Sequence, residues 1–282
     1  MQTVVITGGT DGLGKGLALH YLRQGARVLA VGSTPTKGEA LLAEAAAVSA
    51  ADRVAFLQTD LTSVMATKEL VAEIESTCPS VDKLILCAQR YRLFGARTVT
   101  REGFEHSFAL AYLSRYVLSH GLRKALESAP RPVIMNVGTP GVPLGRIHWD
   151  DLQLTRRYSG FKATLQSFRA NDLHGAAFAA LYADTPIRYI GYNPGVVSTG
   201  MPNHLPQPLR ALTKASLAVL AASVPKAVKP MARLLDEPPA GPFAIYRTTR
   251  QLSLKGPAFD QDDALRLHRL TQDLVGAAWG WP

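Results

Sequence analysis

The feature that most constrains this chain lies at its start. Thr7-Gly8-Gly9-Thr10-Asp11-Gly12-Leu13-Gly14 sits directly between an apolar run, Thr3–Thr7, and a stretch of helical period, Leu13–Gln24. Glycine tolerates positive φ and lets a backbone approach a ligand closely. The N-terminus of the helix that follows offers unbonded N–H groups and the positive end of a dipole, which suits a pyrophosphate. A glycine triplet alone is weak evidence. In a strand–turn–helix setting that opens a βαβ series it points to a dinucleotide. Gly8, Thr10, Asp11, Gly12, Leu13 and Gly14 are therefore expected to line a cofactor.

Strand-like and helical stretches alternate beyond this turn. Expected strands are Thr3–Thr7, Arg27–Val31, Arg53–Gln58, Lys83–Ala88, Pro132–Val137 and Ile187–Tyr192. Expected helices are Leu13–Gln24, Thr36–Val48, Met65–Thr77, Gly103–Glu127 and Lys162–Tyr182. Such alternation predicts an α/β fold: a single Rossmann-type domain, a doubly wound parallel sheet flanked by helices, over residues 1–282. Residues 200–235 differ, being punctuated by Pro202, Pro206, Pro208 and Pro225 with apolar pieces between. They are expected to form a helical, lid-like insertion over the carboxyl edge of the sheet, where ligands of such folds bind.

Of the 282 residues, 47% are hydrophobic and 19% charged, so the chain is globular and not disordered. Net charge is +9, but Lys and Arg are scattered and form no nucleic-acid motif. Neither nucleic acid nor membrane is expected as a partner. The longest apolar run, Ala215–Val224, is too short to span a bilayer. Cys78 and Cys87 have no metal-ligand spacing, so no metal is expected and a reducing, cytoplasmic setting is. With a strand opening at Thr3, no signal peptide is expected.

The Thr7–Gly14 turn resembles that of the short-chain dehydrogenase/reductase family, Thr-Gly-x-x-x-Gly-x-Gly, in full. Further segments resemble the family's retinol-dehydrogenase-like subgroup: Lys37-Gly38-Glu39-Ala40, Gly145–Leu152 and Gln166-Ser167 with Ala170-Asn171. The likeness covers roughly residues 1–200. It implies that Asp60 and Leu61 contact adenine and that Cys87, Ala88 and Gln89 face the cofactor. It also implies that Pro194, Gly195, Val197 and Thr199 hold the nicotinamide amide. NAD-preferring sites carry a carboxylate at the end of the second strand. Here Ser33, Thr34 and the nearby Lys37 stand instead, with no acid until Glu39. Hydroxyls and a cation tolerate a 2′-phosphate, so NADP(H) is the expected cofactor.

The family's chemistry rests on a Tyr-x-x-x-Lys pair, a Ser and often an Asn. Tyr158 and Lys162 match that pair by eye. In register with the subgroup, however, the catalytic Tyr falls on Thr164 and the Lys on Phe168. Thr164 also lies about thirty residues before Pro194, the length of one helix, a turn and a strand. Ser159 reads as a helix N-cap, which puts Tyr158 outside the helix and off the face of Lys162. Ala111 takes the place of the helical Asn. Asn136-Val137-Gly138-Thr139 takes the place of Asn-Val-Ser-Ser, leaving Thr139 as the one catalytic candidate. Tyr112, Tyr158, His106 and His148 are weak candidates for a substitute acid.

Hydride transfer to a ketone requires that the new alkoxide be protonated, and a positioned acid contributes about 10²–10⁴-fold. Without one, the substrate can supply the proton from a phenol hydrogen-bonded to its ketone, as aromatic polyketides carry. The expected function is NADPH-dependent reduction of a small aromatic ketone, resembling the triad-less angucyclinone ketoreductases of antibiotic pathways. Two alternatives stand beside it: an ordinary short-chain alcohol dehydrogenase using Tyr158 and Lys162, and a non-catalytic NADP(H)-binding sensor.

Overall fold

The computed structural model describes residues 1–90, 92–197 and 222–277. Strands β1 (Thr3–Thr7), β2 (Arg27–Gly32), β3 (Val54–Gln58), β4 (Lys83–Leu86), β5 (Val133–Val137), β6 (Arg188–Asn193), β7 (Phe243–Arg247) and β8 (Arg250–Leu252) form one sheet. Its order is β3-β2-β1-β4-β5-β6-β7-β8. All pairings are parallel except the last, where β8 runs antiparallel to β7. Strands β1, β4 and β5 are buried at every residue, as a sheet covered on both faces demands.

Helices α1 (Gly12–Arg23), α2 (Pro35–Ala47) and α8 (Val224–Asp236) cover one face. The other is covered by α3 (Val64–Thr77), α5 (Ser114–Gly121), α7 (Gly160–Leu181) and α9 (Gln261–Ala277). Each start has a local cause. Asp11 caps α1 and Ser63 caps α3, the latter accepting from the Ala66 amide at 3.1 Å. Pro35 opens α2 with its φ already helical.

The helix expected over Gly103–Glu127 is broken. Gly103 has φ +87°, so the helix begins later, with Glu105 as its cap. A short turn α4 (His106–Phe108) runs into a π-helical segment, Ala109–Leu113, then α5 and a separate α6 (Arg123–Glu127). The strand expected over Lys83–Ala88 stops at Leu86, because the next two amides turn to Thr7.

Residues 198–221, which hold most of the expected lid, lie outside the described residues. Its last part is corrected. Val224–Leu235 belongs to α8, a helix fixed on α1 with Val228, Met231 and Leu235 in the core. Pro225 opens this helix rather than breaking it. Lys83, buried at the start of β4, pairs with Asp236 at 3.3 Å, and the Tyr21 hydroxyl donates to the same carboxylate at 3.1 Å. Strands β7 and β8 and helix α9 went unread in sequence. Helix α9 packs on α7, with the Tyr112 and Thr271 hydroxyls 2.7 Å apart and the Tyr116 hydroxyl of α5 3.1 Å from His268 Nδ1.

A Cβ at Gly16 would lie 2.7 Å from Val224 Cγ1 and 2.9 Å from Val228 Cγ2, so α1 and α8 touch through this glycine. Gly16→Leu should cost ~1–3 kcal/mol by overpacking. Urea unfolding measures it, and an unchanged midpoint would mean that α8 is loosely held.

Candidate active site

Strands β1 and β4 are neighbours whose connections leave in opposite directions, so the loops after them part and open a crevice. Two bonds set its floor. The Cys87 amide donates to the Thr7 carbonyl at 3.2 Å, and the Ala88 amide to the Thr7 hydroxyl at 3.1 Å. Gly8, at φ +64°, passes so close that a Cβ would sit 3.0 Å from the Ala88 nitrogen. A Cβ at Gly14 would meet the Gly8 carbonyl at 2.2 Å. The glycines are thus required by the packing of the turn as well as by a ligand. The first-turn amides of α1, including those of Leu13 and Gly14, have no carbonyl within the helix to bond. This cradle fits a pyrophosphate.

Asp11 accepts from the Gly12 amide at 2.7 Å and forms an ion pair with Lys37. Burial pulls its carboxyl upward. The Lys37 hydrogen bond, the Gly12 amide and the charges of Lys37 and Lys15 outweigh that and hold it below the usual range. The buried Thr10 lies under Gly32, where a Cβ would meet its hydroxyl at 2.8 Å. Ser33 and Thr34 are exposed beyond β2, beside the first turn of α2 that carries Lys37. No acid follows β2 directly, yet the fold brings Asp11 to Lys37 from the glycine-rich turn. Asp60 is exposed and binds the Thr62 amide and hydroxyl at 2.9 and 2.8 Å, while Leu61 is buried in the core. The amide of Gly195, at φ +73°, donates to the Asn193 side chain at 2.8 Å, and Val197 bridges to Ala222. Thr199 lies outside the described residues.

Next to this cleft is a cavity lined by Gln89, Arg115, Gly138, Thr139, Phe168 and Asp172, among others. Thr139 thus lines the cavity, as does Phe168, which carries no charge. Thr164 is buried, and its hydroxyl has no hydrogen-bond partner among the described residues.

The Tyr158–Lys162 pair is not assembled. Tyr158 precedes α7, and its hydroxyl donates to Glu105 at 3.1 Å. Burial and the Glu105 carboxylate push the phenol up to about 12, opposite to what a lysine partner would do. Lys162 is exposed and reaches only the Arg157 carbonyl, at 3.4 Å. The other candidate acids are also absent from the cavity wall. Tyr112 is buried under α9. The His148 amide is tied to Gln166 at 2.9 Å. Burial and the Arg92 charge lower the pKa of His106.

Sequence reasoning missed two cavity residues. Arg115, 2% exposed, lies one helical turn after Ala111. Its guanidinium bonds the Asn136 side-chain oxygen and, at 3.1 Å, the Ala88 carbonyl. Asp172, one turn after Phe168, accepts from the Gly141 amide with both oxygens at 3.2 Å. Burial raises its carboxyl to about 7 against the Gly141 amide and the Arg169 charge. A search of the catalytic helix faces at i+4 spacing would have found both. Between them, Asn136 donates to Asn171 and to the Tyr189 hydroxyl, each at 2.8 Å. Asn171 in turn donates to the Ala111 and Ser167 carbonyls, each at 2.7 Å.

Tyr158→Phe should leave most turnover intact, whereas loss of a true general acid costs about 10²-fold or more. Thr139→Ala should slow turnover more than Tyr158→Phe does. Steady-state kinetics on both variants decides the register, and the reverse ranking overturns it.

The pattern of the short chain dehydrogenase family matches residues 2–209. A Streptomyces sp. (strain C5) protein named as a candidate daunorubicin C-13 ketoreductase, DnrU, is 31% identical over 199 residues, 70% of this chain and 67% of its own. Bovine retinol dehydrogenase 12 is 31% identical over 205 residues, 72% of this chain and 64% of its own. Human polyprenol dehydrogenase is 27% identical over 210 residues, 72% of this chain and 63% of its own. The chain thus spans about two-thirds of the length of these relatives. Among solved structures, a metagenomic short-chain oxidoreductase in complex with NADP superposes with a TM-score of 0.62 at 18% identity, covering 88% of this chain and 98% of that one. No helix among the described residues is long and apolar enough to cross a membrane. The sheet order, the glycine-rich crevice and these likenesses agree: the chain belongs to the short-chain dehydrogenase/reductase family.

Proposed function

We propose that this protein is an NADPH-dependent ketoreductase that acts on an aromatic, polyketide-type ketone and takes its proton from the substrate. The observation that carries this reading is an intact dinucleotide cradle beside a cavity in which Thr139 keeps a hydroxyl while Phe168 replaces the cation. Bound NADPH supplies the hydride. The glycine-rich turn positions it, Thr139 polarises the carbonyl, and Phe168 offers an apolar wall to the substrate. Thr164 cannot serve as the acid, since an aliphatic hydroxyl does not ionise near neutral pH. A substrate phenol, with a pKa of about 10, matches the absent tyrosine in acidity. It also lies in contact with the ketone it must protonate.

The likeness to a protein named for daunorubicin ketone reduction supports the same class. An antibiotic-pathway role in the cytoplasm belongs to the same proposal.

A second reading keeps the acid in the protein, at Asp172, whose carboxyl titrates near neutrality. Its position argues against it. Asp172 lies two helical turns beyond Thr164, about 12 Å along α7 from the family's acid. Both its oxygens are engaged by Gly141.

A peri-hydroxy tetralone and its methyl ether test the proposal. The hydroxy ketone should be reduced with stoichiometric loss of NADPH, and the ether should bind but not react. Equal rates would place the donor on the protein or in solvent. Titration should show tighter NADPH than NADH, with Ser33→Asp moving the preference toward NADH. Equal affinities in the wild type would remove the cofactor claim.

A further inference from the structure

Position 168 of α7 carries no cation, but a cation from another helix lines the same cavity. Arg115 extends from α5, almost wholly buried, to the carboxyl ends of β4 and β5. Its two bonds aim it. One terminal nitrogen donates to Asn136 and the other to the Ala88 carbonyl. Ala88 belongs to the segment beside the glycine-rich turn, so the guanidinium lies between cofactor cleft and cavity. Gly138 lies beside it: a Cβ there would stand in ordinary van der Waals contact, 3.5 Å, with the terminal nitrogen that binds Asn136. Thr139 is the next residue in the chain.

A buried arginine stays charged at any pH the protein meets. Its field is weakly screened in a low-dielectric site. Reduction by hydride followed by internal proton transfer leaves a net negative charge on the substrate, first on the alkoxide oxygen and then on the phenolate. Asn136 and Asn171, linked to Arg115, are amides. They hold geometry but do not pass protons, so the network orients charge and conducts none.

We propose that Arg115 is the positioning residue that stabilises this developing anion, taking over from helix α5 the electrostatic role that the residue at position 168 has lost. The inference rests on the ketoreductase reading but not on where the proton originates, because an alkoxide forms in either case.

The test uses the full chain with a peri-hydroxy tetralone as probe. In the complex with NADP⁺, which cannot react with the ketone, absorbance titration reads the pKa of the bound phenol. Arg115→Met should raise that pKa by roughly one unit, the lower end of what an opposite charge contributes, and Arg115→Lys should restore most of the shift. With NADPH, Arg115→Met should lower kcat by about tenfold or more, short of the ~10²–10³-fold that a direct oxyanion donor contributes. An unshifted phenol, or losses in the Met and Lys variants that are equal and independent of pH, would assign Arg115 a purely structural role and overturn the proposal.

If Arg115→Met fails to fold, Asn136→Asp places a carboxylate against the guanidinium and cancels its field in place. The Asn171 amide can turn and the Tyr189 hydroxyl can donate to accommodate it. That variant should show the same pKa rise, and no change in it overturns the proposal equally. Reduction of the methyl ether at the parent rate sinks the substrate-proton reading alone. No turnover of any tetralone, together with no binding of NADPH, sinks the ketoreductase reading itself.

Discussion

The backbone of Ala88 is held from both sides, and the site depends on that restraint. Its amide donates to the Thr7 hydroxyl from the strand that opens the fold. Its carbonyl accepts from Arg115 on the helix across the sheet edge. Gly8 then passes within van der Waals contact of the same amide. The backbone of this one residue therefore couples the cofactor turn, the end of β4 and the buried cation. The bonds are worth little individually, about 1 kcal/mol each and more for the charged one. Leaving any of these buried groups unsatisfied would cost more, which keeps the three elements in one arrangement.

On the function proposed above, the chain keeps the cofactor machinery and replaces the acid–base machinery: the face of α7 that serves a Tyr–Lys pair in this family carries Thr164, Phe168 and Asp172 here, and α5 carries Arg115. Arg115, Asn136 and Asn171, which all line that cavity, are joined in one network. The buried Thr164 hydroxyl has no hydrogen-bond partner among the described residues.

The strands and the cofactor turn were legible because each has a period or a spacing with one physical solution. Apolar runs of parallel-sheet length and a glycine triplet between strand and helix can both be read without knowledge of tertiary contacts. What was not legible depends on contacts between distant segments. The Lys37–Asp11 pair joins two turns far apart in sequence, so a stretch without local acid still meets a carboxylate. The break in the helix expected over Gly103–Glu127 follows from the positive φ of Gly103 and from the π-helical turn whose carbonyl receives Asn171. Helix α8 looked like part of a lid because prolines were taken as breaks. Its Pro225 instead fits the first turn, and its apolar face is spent on α1. Arg115 was passed over as one of many scattered cations, since burial does not show in a sequence.

The most direct test of the account is a crystal structure of the protein with NADP⁺ and a peri-hydroxy aromatic ketone. The account predicts the ketone oxygen within hydrogen-bond distance, about 2.6–3.0 Å, of two groups: the Thr139 hydroxyl and the substrate's own phenol. Arg115 should remain behind Gly138, and Tyr158 should remain on Glu105. A protein acid at that distance from the ketone oxygen, whether Asp172, Tyr158 or a histidine, would contradict the claim that the substrate carries its own proton.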